Sequence, residues 1–175
     1  MPSDSSELHV VLDASVLINF LAVDRADALL ALQGHRFIIT DHVRAEVTSR
    51  FPAQLARLSS VIDEALLEVV SVTDKAELET FARLTAQGLG VGECASIALA
   101  HHRGWHLAAD DKVARKRATR LNSAIILHDT QSFTVCLIRV GSISVEDADA
   151  MLEAWRSKYR FRLKIGSFNE LLVDP

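Results

Sequence analysis

Short apolar runs and longer amphipathic stretches alternate along the chain, and that alternation lays out its secondary structure. Leu8-His9-Val10-Val11-Leu12 reads as a buried strand. Residues 14–22 carry an apolar helical pattern, and residues 24–32 a second, shorter helix. Phe37-Ile38-Ile39 reads as a second strand, with Thr40 or Asp41 placed to cap a helix that runs to about Arg50. Pro52 suits the first turn of a further helix. Residues 67–72 read as a third strand, and Thr73 or Asp74 as the cap of a helix reaching about Gln87.

Gly88-Leu89-Gly90-Val91-Gly92 is a loop that feeds a nearly all-apolar helix over 93–102. A helix apolar on most faces is a central, buried one, and Gly104 ends it. Residues 105–109 read as a fourth strand, 111–121 as a basic helix and 124–127 as a fifth strand. Helices follow over 130–140 and 144–159, the latter opened by a Ser144/Asp147 pair that resembles a capping box. The tail to Pro175 holds one more helical turn. Strands alternating with helices imply an α/β fold, a three-layer α/β/α sandwich around a central, mainly parallel five-stranded sheet. No repeat, low-complexity stretch or linker divides the chain. Residues 1–140 are expected to form the main domain, with residues 141–175 as a C-terminal helical extension packed on it.

Composition narrows the classes. At 175 residues the chain is long enough to bury a core without disulfides or structural metal. A hydrophobic content of 49% against 24% charged excludes general disorder. The net charge of −4 excludes a bulk-cationic nucleic-acid coat but leaves room for a local basic patch. Cys94 and Cys136 lie in apolar helical segments and read as buried, reduced thiols. The polar, acidic start over residues 1–7 does not read as a signal peptide, and the longest apolar run, 95–100, is too short to cross a bilayer. A cytoplasmic protein with no membrane partner is expected.

In an open parallel sheet ligands bind at the carboxyl ends of the strands, so acids there are the ones to weigh. Asp13 follows the first strand, and Asp110 and Asp111 follow the fourth. Glu46 lies on the helix after the second strand, Glu93 at the start of the buried helix, and Asp129 after the fifth strand. Carboxylates converging at one edge repel each other unless something positive sits among them. A hard divalent cation such as Mg²⁺ or Mn²⁺ answers that need, prefers oxygen ligands, and can activate water and stabilise a phosphoryl transition state. Each acid also has a plain structural role. Asp13 and Asp111 can cap helices, Glu93 can complement a helix dipole and Glu46 can be an exposed helical acid. Those roles do not explain why the acids sit beside strand ends in this order.

The same residues resemble the PIN-domain family of metal-dependent nucleases. Val10-Val11-Leu12-Asp13-Ala14-Ser15-Val16-Leu17-Ile18 looks like that family's first strand and first acid. Asp41-His42-Val43-Arg44-Ala45-Glu46-Val47 looks like its second-acid helix. Gly90-Val91-Gly92-Glu93-Cys94-Ala95-Ser96-Ile97-Ala98-Leu99-Ala100 is similar to its third-acid helix, in the variant that carries Gly-Glu. Leu107-Ala108-Ala109-Asp110-Asp111-Lys112-Val113-Ala114-Arg115 looks like the fourth-acid strand end and its helix. Residues 8–140 carry this resemblance, and residues 141–172 look like the tail of a longer subgroup related to VapC toxins. Two positions depart from the pattern. The third acid is Glu93 where Asp is commoner, and His128-Asp129-Thr130 stands where a Thr-Gly-like turn is expected. Asp129 reads as the cap of the next helix.

The resemblance implies an Mg²⁺- or Mn²⁺-dependent ribonuclease with Asp13, Glu46, Glu93 and Asp111 as catalytic acids. It implies metal ligation by Asp13, Glu93 and the Asp110/Asp111 pair, with Glu46 orienting a water. Ser15 matches a small polar residue that helps orient such a water. An RNA substrate, a toxin role with a small antitoxin, and a homodimer are implied in the same way. Substrate contacts fall to cations near the acids. Lys112, Arg115 and Lys116 share one face of the most basic helix, beginning at the acid cluster.

Other features point away from function. The Gly88/Gly90/Gly92 loop follows a helix rather than a strand, against a nucleotide loop. His101, His102 and His106 are split by Gly104 and read as surface histidines. Trp155 and Tyr159, one turn apart, read as packing groups. Two other functions compete. One is a non-catalytic PIN-like module that binds RNA or protein, which loss of Asp13 or Asp111 would have favoured. The other is a phosphatase with an aspartyl nucleophile, which wants a second aspartate where Ser15 stands.

Overall fold

The structure, a computed structural model, describes residues 7–172. Five strands form one sheet: β1 (Leu8–Leu12), β2 (His35–Thr40), β3 (Glu68–Val70), β4 (His106–Ala108) and β5 (Leu127–His128). Their order is β3-β2-β1-β4-β5, and every pairing is parallel. The helices among the described residues are α1 (Ala14–Ala22), α2 (Ala26–Leu30), α3 (Asp41–Arg50), α4 (Leu55–Asp63), α5 (Lys75–Ala86), α6 (Val91–Arg103), α7 (Lys112–Leu121), α8 (Thr130–Arg139) and α9 (Val145–Lys158).

Alternate strand residues serve two cores, as the pleat dictates. Val10, Leu12, Phe37, Ile39 and Ala108 face α1, α2, α8 and α9, where Leu17, Phe20, Leu29, Phe133 and Trp155 are fully or almost fully buried. Val11, Ile38, Leu107 and Ala109 face α5, α6 and α7 through Leu84, Cys94, Ile97, Ala114 and Ala118. Three α/β/α layers result, with strands covered on both sides, which is why β1 reads as a continuous apolar run. Cys94 is buried as expected, while Cys136 is only half-buried.

The chain builds outward from β1 to β2 and β3 on one side, then returns to lay β4 and β5 on the other. The strand order therefore reverses between β1 and β4, and a ligand crevice opens at the carboxyl end of such a switch point. Asp13 follows β1 there, and its N–H donates to the Ala108 carbonyl at 2.8 Å, bringing the two strand ends level.

The extension shares the first core. Trp155 is fully buried, sits edge-on to Phe20 at 6.1 Å, and donates its indole N–H to the Asn19 carbonyl at 2.8 Å. Its expected partner Tyr159 is instead 43% exposed at the end of α9, a correction to the packing role read from helical spacing. The expected last turn is a 3₁₀ segment, Phe168–Leu171, anchored where Ser167 Oγ and the Phe168 N–H donate to Asp149.

Three boundaries shift for local reasons. α6 starts at Val91, because Gly90 is the N-cap and its N–H is taken by Glu93 Oε2 at 3.1 Å. The fifth strand lies at 127–128, because Asn122 closes a turn with Ala124 and Ile125. Pro52 opens a 3₁₀ turn, Pro52–Gln54, before α4 begins. Among the described residues no helix is long and apolar enough to cross a membrane.

Candidate active site

Asp13 caps α1 from the end of β1. Its Oδ2 accepts from Ser15 Oγ at 2.7 Å and from the Ser15 N–H at 3.3 Å. Its Oδ1 is buried without a hydrogen-bond partner among the described residues. Only 3% of Asp13 is exposed. Burial pushes its carboxyl above the usual range, more than the bonds from Ser15 hold it down, and the Glu46 charge adds to the rise. An unpaired carboxylate oxygen buried beside other acids is costly.

Glu93 projects from the first turn of α6. Burial raises its carboxyl, the Gly90 N–H offsets part of that, and the charges of Asp13, Asp111 and Glu46 raise it further. Four acids from four elements thus act on one another. Glu46 on α3 is steadied by Arg50, one turn on, at 3.1 Å. It fits against α6 only because residue 92 is glycine: a Cβ there would lie 2.7 Å from Glu46 Oε2. Asp111 caps α7, its Oδ1 accepting from the Val113 and Ala114 N–H groups at 2.8 Å each. The capping and functional readings of Asp13 and Asp111 are therefore compatible, since capping engages one oxygen of each.

Asp110 points elsewhere. Its Oδ1 accepts from the Thr130 N–H at 2.9 Å, and its Oδ2 from Thr130 Oγ1 at 2.6 Å and Asn19 Nδ2 at 2.9 Å. Burial raises its carboxyl, and the Asp129 charge adds to this against the Thr130 bonds. Ser15 stands between the two systems. Its hydroxyl donates to Asp13 and accepts from the Asp110 N–H at 3.1 Å. Asn19 and Thr130 are the site residues that sequence reasoning missed. An asparagine inside the apolar helix 14–22 was the available signal.

The basic helix divides as well. Arg115 is half-buried, and its Nη1 donates to the carbonyls of Ala109 and His128 at 3.0 and 2.7 Å, tying β4, β5 and α7 together. It also stands 3.7 Å from Asp129, the cap of α8. Lys112 and Lys116 are exposed beside the acid group. His106 is not a surface histidine: its Nδ1 lies 2.9 Å from His128 Nε2.

Among the described residues no three His, Cys, Asp or Glu side chains stand close enough to enclose a metal ion by themselves. The donor set is nonetheless all oxygen, and the partnerless Asp13 Oδ1 lies within it. Those features fit a hard divalent ion such as Mg²⁺, which keeps several of its waters and rarely sits in an all-protein cage.

No curated protein matches the chain. Among solved structures, PAE2754 from Pyrobaculum aerophilum is similar with a TM-score of 0.51 at 14% identity, over 81% of this chain and 95% of that one. A PilT N-terminus domain protein, SSO1118 from Sulfolobus solfataricus P2, gives 0.48 at 18% identity, over 75% and 94%. VapBC2 from Rickettsia felis, solved with a DNA fragment from its promoter, gives 0.49 at 15% identity, over 70% and 98%. A family model described as a PIN domain, DUF3368, matches residues 9–173. That match, over residues 9–173, takes in the four acids and the C-terminal extension alike, and the chain belongs to the PIN-domain family.

Proposed function

We propose that this chain is an Mg²⁺- or Mn²⁺-dependent ribonuclease that hydrolyses RNA phosphodiester bonds. The observation that carries the reading is the buried, partnerless Oδ1 of Asp13 at the sheet's switch point, among the charges of Glu46, Glu93 and Asp111. Asp13, Glu93 and Asp111 would hold the cation. When bound, a divalent ion there supplies Lewis acidity toward water and phosphoryl oxygen. Glu46, fixed by Arg50 and the gap at Gly92, would orient a water. Ser15 and Asp110 act as positioning residues, Asp110 by fastening the acid edge to Asn19 and Thr130. Lys112 and Lys116 would meet the phosphates. Arg115, named with them on sequence grounds, would serve by clamping the strand ends.

The test is cleavage of mixed single-stranded RNAs with Mg²⁺, Mn²⁺ or EDTA, beside Asp13→Asn and Asp111→Asn. Cleavage should need the metal and vanish in both variants. Mn²⁺ should also raise the melting temperature of wild type, through binding to the folded state alone, and not that of Asp13→Asn. Equal trace activity in all three proteins with no metal-dependent melting shift would overturn the reading in favour of a non-catalytic RNA- or protein-binding module. A toxin role, a small antitoxin partner and a homodimer belong to the same proposal through the family resemblance. Co-purification with a co-expressed neighbouring gene product and light scattering would read them directly.

A further inference from the structure

A second acid-free run of cations, besides the one on α7, lies just past α9. Residues 158–164, Lys-Tyr-Arg-Phe-Arg-Leu-Lys, hold four cations and no acid. α9 ends at Tyr159, and Arg160 takes the left-handed conformation at φ 57°. The Phe161 N–H then closes the turn on the Trp155 carbonyl at 3.2 Å. Beyond the turn the side chains alternate. Phe161, Leu163 and Ile165 pack against the first core, while Arg160, Arg162 and Lys164 are exposed between them. The segment is not a strand: it turns at Arg160 and bends at Lys164, and the alternation leaves the three cations exposed. Lys158, Arg160, Arg162 and Lys164 meet no acid among the described residues. Four like charges with no ion-pair partner among the described residues would be stabilised by a polyanion.

This ribbon begins at a cavity beside α1 and the end of α3. Exposed Tyr159 forms one wall of a cavity of about 290 Å³ that also touches Ile18, Asn19, Arg50, Phe51 and Gln54. Of its lining residues, Arg50 pairs with Glu46 and Asn19 donates to Asp110, so the cavity is one side chain removed from each of those two carboxylates. Its walls are mainly apolar with an aromatic edge, suited to a nucleobase rather than a phosphate. Aromatic faces interleaved with a cationic groove are how proteins hold single strands without reading sequence.

We propose that the C-terminal ribbon is the track for the single-stranded RNA on one side of the scissile phosphate. Arg160, Arg162 and Lys164 take the backbone, and the Tyr159 cavity takes a base. The choice of RNA as occupant rests on the nuclease reading. An acidic peptide or an anionic lipid surface would meet the same cations, but neither would explain the mainly apolar cavity edged by Tyr159.

The test uses the full chain. Binding of a fluorescein-labelled single-stranded 12-nucleotide RNA of mixed sequence is followed by anisotropy in an Asp13→Asn background, which would keep the strand whole. A triple variant, Arg160→Gly/Arg162→Gln/Lys164→Gln, should bind at least about tenfold more weakly, and the slope of log affinity on log salt should fall by about 2, roughly 0.7 per lost phosphate contact. Tyr159→Ala should weaken binding about tenfold with the slope unchanged. Glycine suits φ 57°, so the triple variant should melt no lower than its parent. If it melts lower, the surface double variant Arg162→Gln/Lys164→Gln decides, with a slope loss of about 1.4 expected. Unchanged RNA affinity and slope in these variants overturn the track. Loss confined to a polyglutamate peptide or phosphatidylserine vesicles overturns it in favour of that partner. With Asp13 intact, the triple variant should raise KM and leave kcat in place. Ribbon-dependent binding without wild-type cleavage would fail the nuclease reading alone. Metal-dependent cleavage at unaltered KM in the triple variant would fail the track alone.

Discussion

Two neighbouring aspartates carry different loads at the end of β4. The three bonds into Asp110 come from Thr130 and Asn19, residues on α8 and α1, so this carboxylate pins three elements together. Replacing it by alanine takes the acceptor from donors on two buried residues, Thr130 and Asn19, which costs roughly 1–3 kcal/mol. For a chain of this length each kcal/mol lowers the melting temperature by about 2–4 °C. Asp111→Asn keeps a side chain that caps α7 well, so its melting temperature should stay near wild type while metal-dependent cleavage is lost. Thermal melts of the two variants separate these roles; a large melting loss in Asp111→Asn or none in Asp110→Ala would reverse the assignment. A finer probe is Gly92→Ala. The added Cβ would lie 2.7 Å from Glu46 Oε2 and must push that carboxylate aside, while a Cβ at Gly90 meets Glu93 Oε2 at an ordinary 3.5 Å. Because the atom displaced is the end of a flexible side chain, Gly92→Ala should fold normally and cut cleavage by about tenfold or more, a displacement of order 1 Å being enough for such losses. Gly90→Ala, assayed beside it, should do far less.

At the scale of elements, helix ends decide what a sequence discloses. Asp13, Thr40, Asp74, Asp111, Asp129 and Ser144 each cap a helix, with the side chain accepting from an N–H of the first turn. These are local chemistries, readable two or three residues at a time, and they made the helix starts and the order of the acids legible. The network of Asn19, Asp110 and Thr130 was not legible, because it joins residues 91 and 111 positions apart that share no periodicity. Tyr159 was misread for a related reason. Helical spacing puts it under Trp155, but the helix stops there and the chain turns at Arg160. Arg115 likewise looked like a phosphate cation until its carbonyl partners on β4 and β5 were in place. One helix end carries strain that can be removed. Ala65, just past α4, is held at φ 57° by the Leu66 N–H closing on the Val61 carbonyl at 3.0 Å. That conformation is unfavourable for a residue with a Cβ by about 1–2 kcal/mol, and the entropy of an unfolded glycine takes back about 0.5–1 kcal/mol. Ala65→Gly should therefore raise stability by about 0.5 kcal/mol, read as a higher urea midpoint at unchanged slope. A lower midpoint would mean that the turn is not held as described.

Across the whole molecule, the response to acid should be governed by histidines that three strands bring together. His35, His106 and His128 begin or form β2, β4 and β5, and Phe37 and Phe133 lie among their rings. His106 Nδ1 and His128 Nε2 are 2.9 Å apart, a contact that needs one ring to donate and the other to accept. Protonating both leaves two donors face to face. Burial first, then the charges of His106 and His35, lower His128 to about 4, and burial also lowers His106. In the unfolded chain His128 titrates at the ordinary histidine value of 6.5, so as pH falls the unfolded state takes up the proton first. The stability from keeping this ring neutral is complete above pH 6.5 and is lost between there and about 4. Partial exposure screens the effect, which leaves it on the order of 1 kcal/mol. Asp41, Glu77 and Asp147 have lowered carboxyls, through Ser71 and His42, Arg103, and Ser144 respectively, the first two against a burial penalty. Their contributions are lost only below the ordinary carboxyl values of 3.8 to 4.5, under most of the histidine window. The raised carboxyls of Asp13, Glu93 and Asp110 act in the opposite sense, since their protonation favours the fold as pH falls. The wild-type slope therefore mixes the two signs, and the difference between wild type and His128→Gln isolates the histidine part. Melting temperatures at pH 7.5 and pH 5.0 should fall further for wild type than for the variant, by about 2–4 °C per kcal/mol. Equal falls in the two proteins would show that these rings are not what acid attacks first.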